Sequence, residues 1–151
     1  MDQTHFKELF LNLINNIDNP FHPLVWINGL PEIGSGTYIG GFSEINAKGA
    51  KLLIGDNCDI ASFVAINVAD SHRRCIGLES DNEYRDIFIG NNVFIGSHAV
   101  VLGGAIIGHN SVIASGAIVR NIKIPPFSLV LPDCIKPEYY RKEFEAKHGV
   151  S

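Results

Sequence analysis

From Ile89 onward an apolar residue returns at every sixth position: Ile89, Ile95, Val101, Ile107, Ile113 and Val119. A helix repeats at about 3.6 residues and a half-exposed strand at about 2, so neither explains the spacing. A six-residue period reads as a short strand, a turn and a return to the same inward-pointing position. Two earlier blocks keep the spacing in other phases, Ile33, Ile39, Ile45 and then Ile54, Ile60, Ile66. About three such steps close one triangular turn, so the pattern predicts an all-β solenoid, a stacked parallel β-helix.

The rhythm breaks twice, at Ala47 to Leu53 and between Ser71 and Asp86. The second break holds HRRCIGLESDNEYR, with three arginines, three acids and a histidine. A long excursion costs loop entropy and adds no core, which marks the segment as a candidate functional loop. Outside the coil, Thr4 to Asn16 places Phe6, Leu9, Phe10, Leu13 and Ile14 on one stripe, which predicts an amphipathic helix lidding the first turn. Asp18 to Pro31 contains three prolines and Trp26 and reads as irregular or edge-strand chain. At the far end Pro137 suits a first helical position, PEYYRKEFEAK follows, and Gly149 suits the stop. Both end helices are expected to cover the unpaired edges of an open solenoid.

The 151 residues, 46% hydrophobic, are enough for one core, and the expected organisation is a single domain: lead-in 1–32, coil 33–130 with a loop at 72–86, and a terminal helix within 131–151. A net charge of -4 argues against a nucleic acid partner. MDQTHFKELFLNLINN lacks the features of a secretory signal, and no apolar run reaches a membrane span, so a cytoplasmic location without membrane insertion is expected. Cys58, Cys75 and Cys134 have no paired-ligand spacing and read as free thiols.

IGDNCDIASFVAI at 54–66, His72 after it, IGNNVFIGSHAVVLGGAIIGHNSVIASGAIV at 89–119 and IPP at 124–126 resemble the hexapeptide-repeat acyltransferases. The likeness is to the branch with maltose and galactoside O-acetyltransferases and many sugar acetyltransferases. It implies a left-handed parallel β-helix of four to five coils, a homotrimer with active sites between subunits, acetyl-CoA as acyl donor and no metal. It also implies His72 as general base. The chemistry agrees, since moving an acyl group from a thioester to a hydroxyl or amine requires removing a proton near neutral pH. The imidazole needs an orienting group, and Asp70, Glu79, Asp81 and Glu83 are the candidates, with Glu83 the first choice and Asp70 expected to point elsewhere.

For the donor, the resemblance implies coenzyme contacts at Ser97, Ser115, Arg120 and Asn121, with Arg120 facing a phosphate. The chain departs from the pattern at Phe94, where relatives carry Trp, at Arg73, at Asn121, and in FSLVLPDCIKPEYY after the proline pair. The implied acceptor is a sugar or nucleotide sugar of a bacterial surface polysaccharide, with Arg73, Arg74 and Arg85 as possible attractants for an anionic one. Two alternatives stand beside this reading. A non-catalytic scaffold needs no base. A zinc carbonic anhydrase on this fold needs three converging imidazoles; His98 and His109 hold different positions in their hexads, and His5, His22 and His148 lie outside the coil.

Overall fold

The computed structural model describes residues 2–15, 21 and 24–150. Its core is a three-sided parallel solenoid of five turns. The first face stacks Trp26–Asn28, Glu44–Asn46, Ala65–Asn67, Val100–Leu102 and Ile118–Arg120. The second stacks Glu32–Ile33, Leu52–Ile54, Ile87–Ile89, Ile106–Ile107 and Lys123–Ile124. The third stacks Tyr38–Ile39, Asp59–Ile60, Phe94–Ile95, Val112–Ile113 and Leu129–Val130.

Register makes the hexad rule visible in space. On the third face Ile39, Ile60, Ile95, Ile113 and Val130 lie directly over one another, the four isoleucines with no exposed surface. Ile45, Ile66, Val101 and Val119 repeat this on the first face, and Ile54, Ile89, Ile107 and Ile124 on the second. Branched aliphatic side chains stack well at the roughly 4.8 Å spacing between strands. Corner hydroxyls complete the interior: Thr37 Oγ1 donates to the Gly55 carbonyl at 2.7 Å and accepts the Cys58 N–H at 3.0 Å. Burial pushes the Cys58 thiol up from its ordinary range, while Cys75 and Cys134 are exposed; all three are free.

The corners differ. Between the second and third faces the left-handed slot holds Asn57, Asn92 and Asn110, with φ of 53°, 55° and 56°. Asparagine tolerates that conformation better than most residues. Between the third and first faces the slot holds Phe42, Phe63 and His98, whose rings stack at 5.2 and 5.1 Å, and then Gly116. Every departure from hexad register falls on the remaining corner, between the first and second faces. There Ala47 to Lys51 bulges, the 71–86 excursion leaves, and the turn after Arg120 is one residue short.

Three expectations need correction. The coil begins earlier than residue 33: Trp26–Asn28 pairs in parallel with Glu44–Asn46, because Ile27 stands six residues before Ile33, a step concealed by Pro31. The N-terminal helix, Gln3–Asn15, does not lid the first turn; Phe6 is 62% and Leu13 49% exposed, and Trp26 beside the open edge is 70% exposed. Asn16, expected as its last residue, and His22 lie outside the described residues. The C-terminal helix is Arg141–His148, starting four residues after Pro137, because Glu138 adopts φ 55° and a left-handed residue stops helix propagation. Gly149 ends it in the left-handed conformation, as expected. At this end Ile135–Lys136 pairs antiparallel with Leu129–Val130, and Phe144 packs on Phe127 with ring centres 5.0 Å apart. Among the described residues no helix is long and apolar enough to cross a membrane.

Candidate active site

The excursion leaves the coil as a short antiparallel stem, Ala69–Asp70 against Glu83–Tyr84, with Asp70 opposite Glu83. Tyr84 seats the stem on the neighbouring bulge. A Cβ added to Gly49 would lie 2.3 Å from its ring, so only glycine allows that approach. Beyond the stem, His72–Cys75 forms one helical turn.

Asp70 controls the entry to that turn. Its Oδ1 accepts the His72 backbone N–H at 3.0 Å and contacts the ring Nδ1 at 2.5 Å. A carboxylate closing onto the N–H two residues ahead is an Asx turn, and here the same oxygen also fixes the ring. With Nδ1–H donating to Asp70, the Nε2 lone pair is free to accept a proton. Asp70 therefore holds the orienting position for which Glu83 was the first choice. Glu83 Oε1 accepts instead from Arg85 Nε at 2.8 Å. The signal is present in the sequence as Asp-Ser-His, an acid two residues before the histidine.

The Asp70 carboxyl titrates below its ordinary range, chiefly because of the His72 N–H, then the ring contact, with the charges of His72 and Arg120 adding to it. A depressed carboxylate contributes stability above its unfolded pKa and loses it as pH falls through the folded value. We expect His72→Ala to move the Asp70 titration upward only part of the way, since the backbone N–H remains. Carboxyl-carbon NMR reads this directly; an unmoved titration would mean that the ring contact is not formed in solution.

Two cavities meet at His72. One, of about 600 Å³, lies between the stem and the coil and is lined by Asp70, His72, Glu83, Arg85, Arg120 and Asn121 together with Asn67 to Ala69, Ser71, Leu102 and Gly103. The other, of about 520 Å³, lies on the loop side, bounded by Arg73 and by Glu79 to Glu83. Both sizes suit small-molecule sites. The loop arginines are engaged: Arg73 with Glu79 at 3.3 Å, and Arg74 Nε with Asn82 Oδ1 at 2.6 Å.

The four residues expected at the donor divide. Arg120 and Asn121 line the His72 cavity, whereas Ser97 and Ser115 sit on the corner between the third and first faces. There the Ser97 carbonyl accepts the Gly116 N–H at 3.1 Å, and Ser115 Oγ fills the space a Cβ on Gly96 would need, 2.7 Å away. His98 belongs to the aromatic stack, and His109 lies edge-on to Phe127 at 5.2 Å. The imidazoles of His72, His98 and His109 thus occupy three different corners of one chain.

Residues 86–121 match the family model described as bacterial transferase hexapeptide (six repeats). No curated protein matches the chain. Among solved structures, the N-acyltransferase AntD from Bacillus cereus, in complex with dTDP and 3-hydroxybutyryl-CoA, superposes with a TM-score of 0.65 at 14% identity, over 83% of this chain and 72% of that one. A maltose O-acetyltransferase from Clostridium difficile 630 gives 0.52 at 23%, over 88% and 82%. The polysialic acid O-acetyltransferase OatWY gives 0.57 at 26%, over 76% and 61%. Repeat and coil together define a hexapeptide-repeat solenoid. Residues 86–121 carry the hexapeptide repeat, and the chain has a fold similar to that of these N-acyl- and O-acetyltransferases.

Proposed function

We propose that the chain is an acetyl-CoA-dependent acyltransferase acting on a hydroxyl or amine of a sugar or nucleotide sugar. The observation that carries this reading is an imidazole held by Asp70 at the shared wall of two cavities, on a solenoid of the acyltransferase kind. His72 Nε2 takes the proton of the acceptor hydroxyl as its oxygen attacks the thioester carbonyl. The resulting tetrahedral oxyanion collapses with loss of the coenzyme thiolate, which recovers the proton from the imidazolium. An amine acceptor attacks when neutral, and His72 then removes its proton from the tetrahedral intermediate.

Ser97 and Ser115 serve the coenzyme arm in this reading, where small side chains leave a narrow track. They occupy a different corner from His72, so one chain does not place donor and base together. A homotrimer in which one subunit's Ser97–Ser115 corner faces its neighbour's His72 corner joins the halves. Synthesis of a bacterial surface polysaccharide in the cytoplasm is the proposed setting. Release of free thiol from acetyl-CoA, measured against amino sugars, neutral sugars and nucleotide sugars, tests the proposal. Turnover with at least one acceptor is expected; silence with every acceptor would favour a non-catalytic scaffold.

A further inference from the structure

We propose that Arg120 binds an anionic group on the acyl acceptor, so that the acceptor is a sugar carrying a carboxylate or a phosphate. This deepens the transferase reading above and rests on it. Most of the charges in the His72 cavity are already bonded to one another. Asp70 is bonded to His72, and Arg85 to Glu83. The Arg120 guanidinium makes no hydrogen bond or ion pair among the described residues, although it lines the same cavity. Its charge is felt by Asp70, yet no acceptor among the described residues is bonded to it.

The coil explains how a residue so far along the chain reaches the base. Arg120 ends its strand in register with Leu102, which is in register with Asn67, so it sits two turns above Asn67 at the same corner, about 9–10 Å along the axis. The turn between them is Gly103–Gly104. A Cβ on Gly103 would lie 3.0 Å from the Arg85 Cβ and 3.1 Å from the Val68 carbonyl, and one on Gly104 would lie 2.4 Å from Asn121 Oδ1. Both directions are closed by protein atoms, so the glycines let successive turns pack tightly at this corner, and Gly103 lines the cavity. A cavity wall that carries both a proton acceptor and a planar guanidinium without a bonded partner fits a ligand presenting a reactive hydroxyl or amine together with an anion. Guanidinium pairs bidentately with either carboxylate or phosphate.

Contact with a coenzyme phosphate is the competing role for Arg120, and the KM of acetyl-CoA separates the two. The remaining donor-side residues, Ser97 and Ser115, are on another corner, while Arg120 shares its cavity with the base.

The test compares a uronic acid, its neutral parent hexose and a nucleotide sugar as acceptors, with wild type, Arg120→Gln and Arg120→Lys. Wild type should prefer one anionic acceptor over the neutral hexose. Arg120→Gln should raise the KM of that acceptor by about ten- to a hundredfold, the scale of a charge-assisted hydrogen bond, with the KM of acetyl-CoA within about twofold. Lysine should restore part of the loss. Preference for the uronic acid assigns the carboxylate, and preference for the nucleotide sugar the phosphate. Equal use of the neutral hexose, or a rise confined to the KM of acetyl-CoA, overturns the proposal. If wild type releases no thiol with any acceptor, the transferase reading falls separately; calorimetric binding of the uronic acid and the nucleotide sugar then decides Arg120, where Arg120→Gln must abolish binding and unchanged or absent binding overturns the assignment.

Discussion

His72→Ala is expected to keep the solenoid and lose acyl transfer by about a hundred- to ten-thousand-fold, the usual worth of a positioned general base. The fold should survive because the side chain is 62% exposed and its one hydrogen-bonding partner is Asp70, itself 53% exposed. Removing a mostly exposed ring leaves no core cavity. Chemistry is another matter, since the carboxylates on the cavity wall are far weaker bases than an imidazole, and Glu83 is in addition bound by Arg85. Circular dichroism and sedimentation should match wild type while thiol release collapses. Turnover within a few-fold of wild type would remove His72 from the mechanism.

Ile95→Ala should do the opposite, lowering stability by about 2–5 kcal/mol, as expected for an isoleucine truncated inside a rigid core. Ile95 has no exposed surface and stands between Ile60 and Ile113 in its column. The walls around the lost methyls have little freedom to close in. The Ala61 N–H donates to the Ile95 carbonyl at 2.9 Å and the Gly96 N–H to the Ile113 carbonyl at 2.7 Å, so the strands above and below are fixed by their own ladders. At about 2–4 °C per kcal/mol for a chain of this size, the midpoint should fall by roughly 5–15 °C. Ile95→Val, which removes one methylene, should cost only about 0.5–1.5 kcal/mol. A midpoint unmoved in both variants would mean that the column is not the source of stability.

The coil was legible because its physics is repetitive. Each inward position is filled by the same kind of side chain, so the period in sequence is the register in space. The ends were less so. Ile27 obeys the rule, yet Pro31 beside it concealed the first strand, and no local pattern tells whether an amphipathic helix will find a surface to cover. The loop that carries His72 was legible from where it interrupts the coil. The partner of His72 was misjudged because proximity in sequence suggested that Asp70 would point away, whereas an Asx turn folds the carboxylate back onto the very next ring. Arg120 and Asn121 followed a family pattern toward the donor; the cavity they line depends on how far two successive turns rise and on the glycines between them, which no motif encodes.

The three-sided winding also fixes how this molecule can change size. Column partners such as Val101 and Val119, or Ile95 and Ile113, recur eighteen residues apart, so whole laps can be gained or lost with every remaining column intact. Deleting a single residue at two of the corners would instead turn each later inward side chain to the outside. The third corner alone has absorbed additions and a shortening without that penalty, and it is the one bearing His72 and Arg120. Chemical novelty in this architecture is therefore cheapest at the place where length is free to vary.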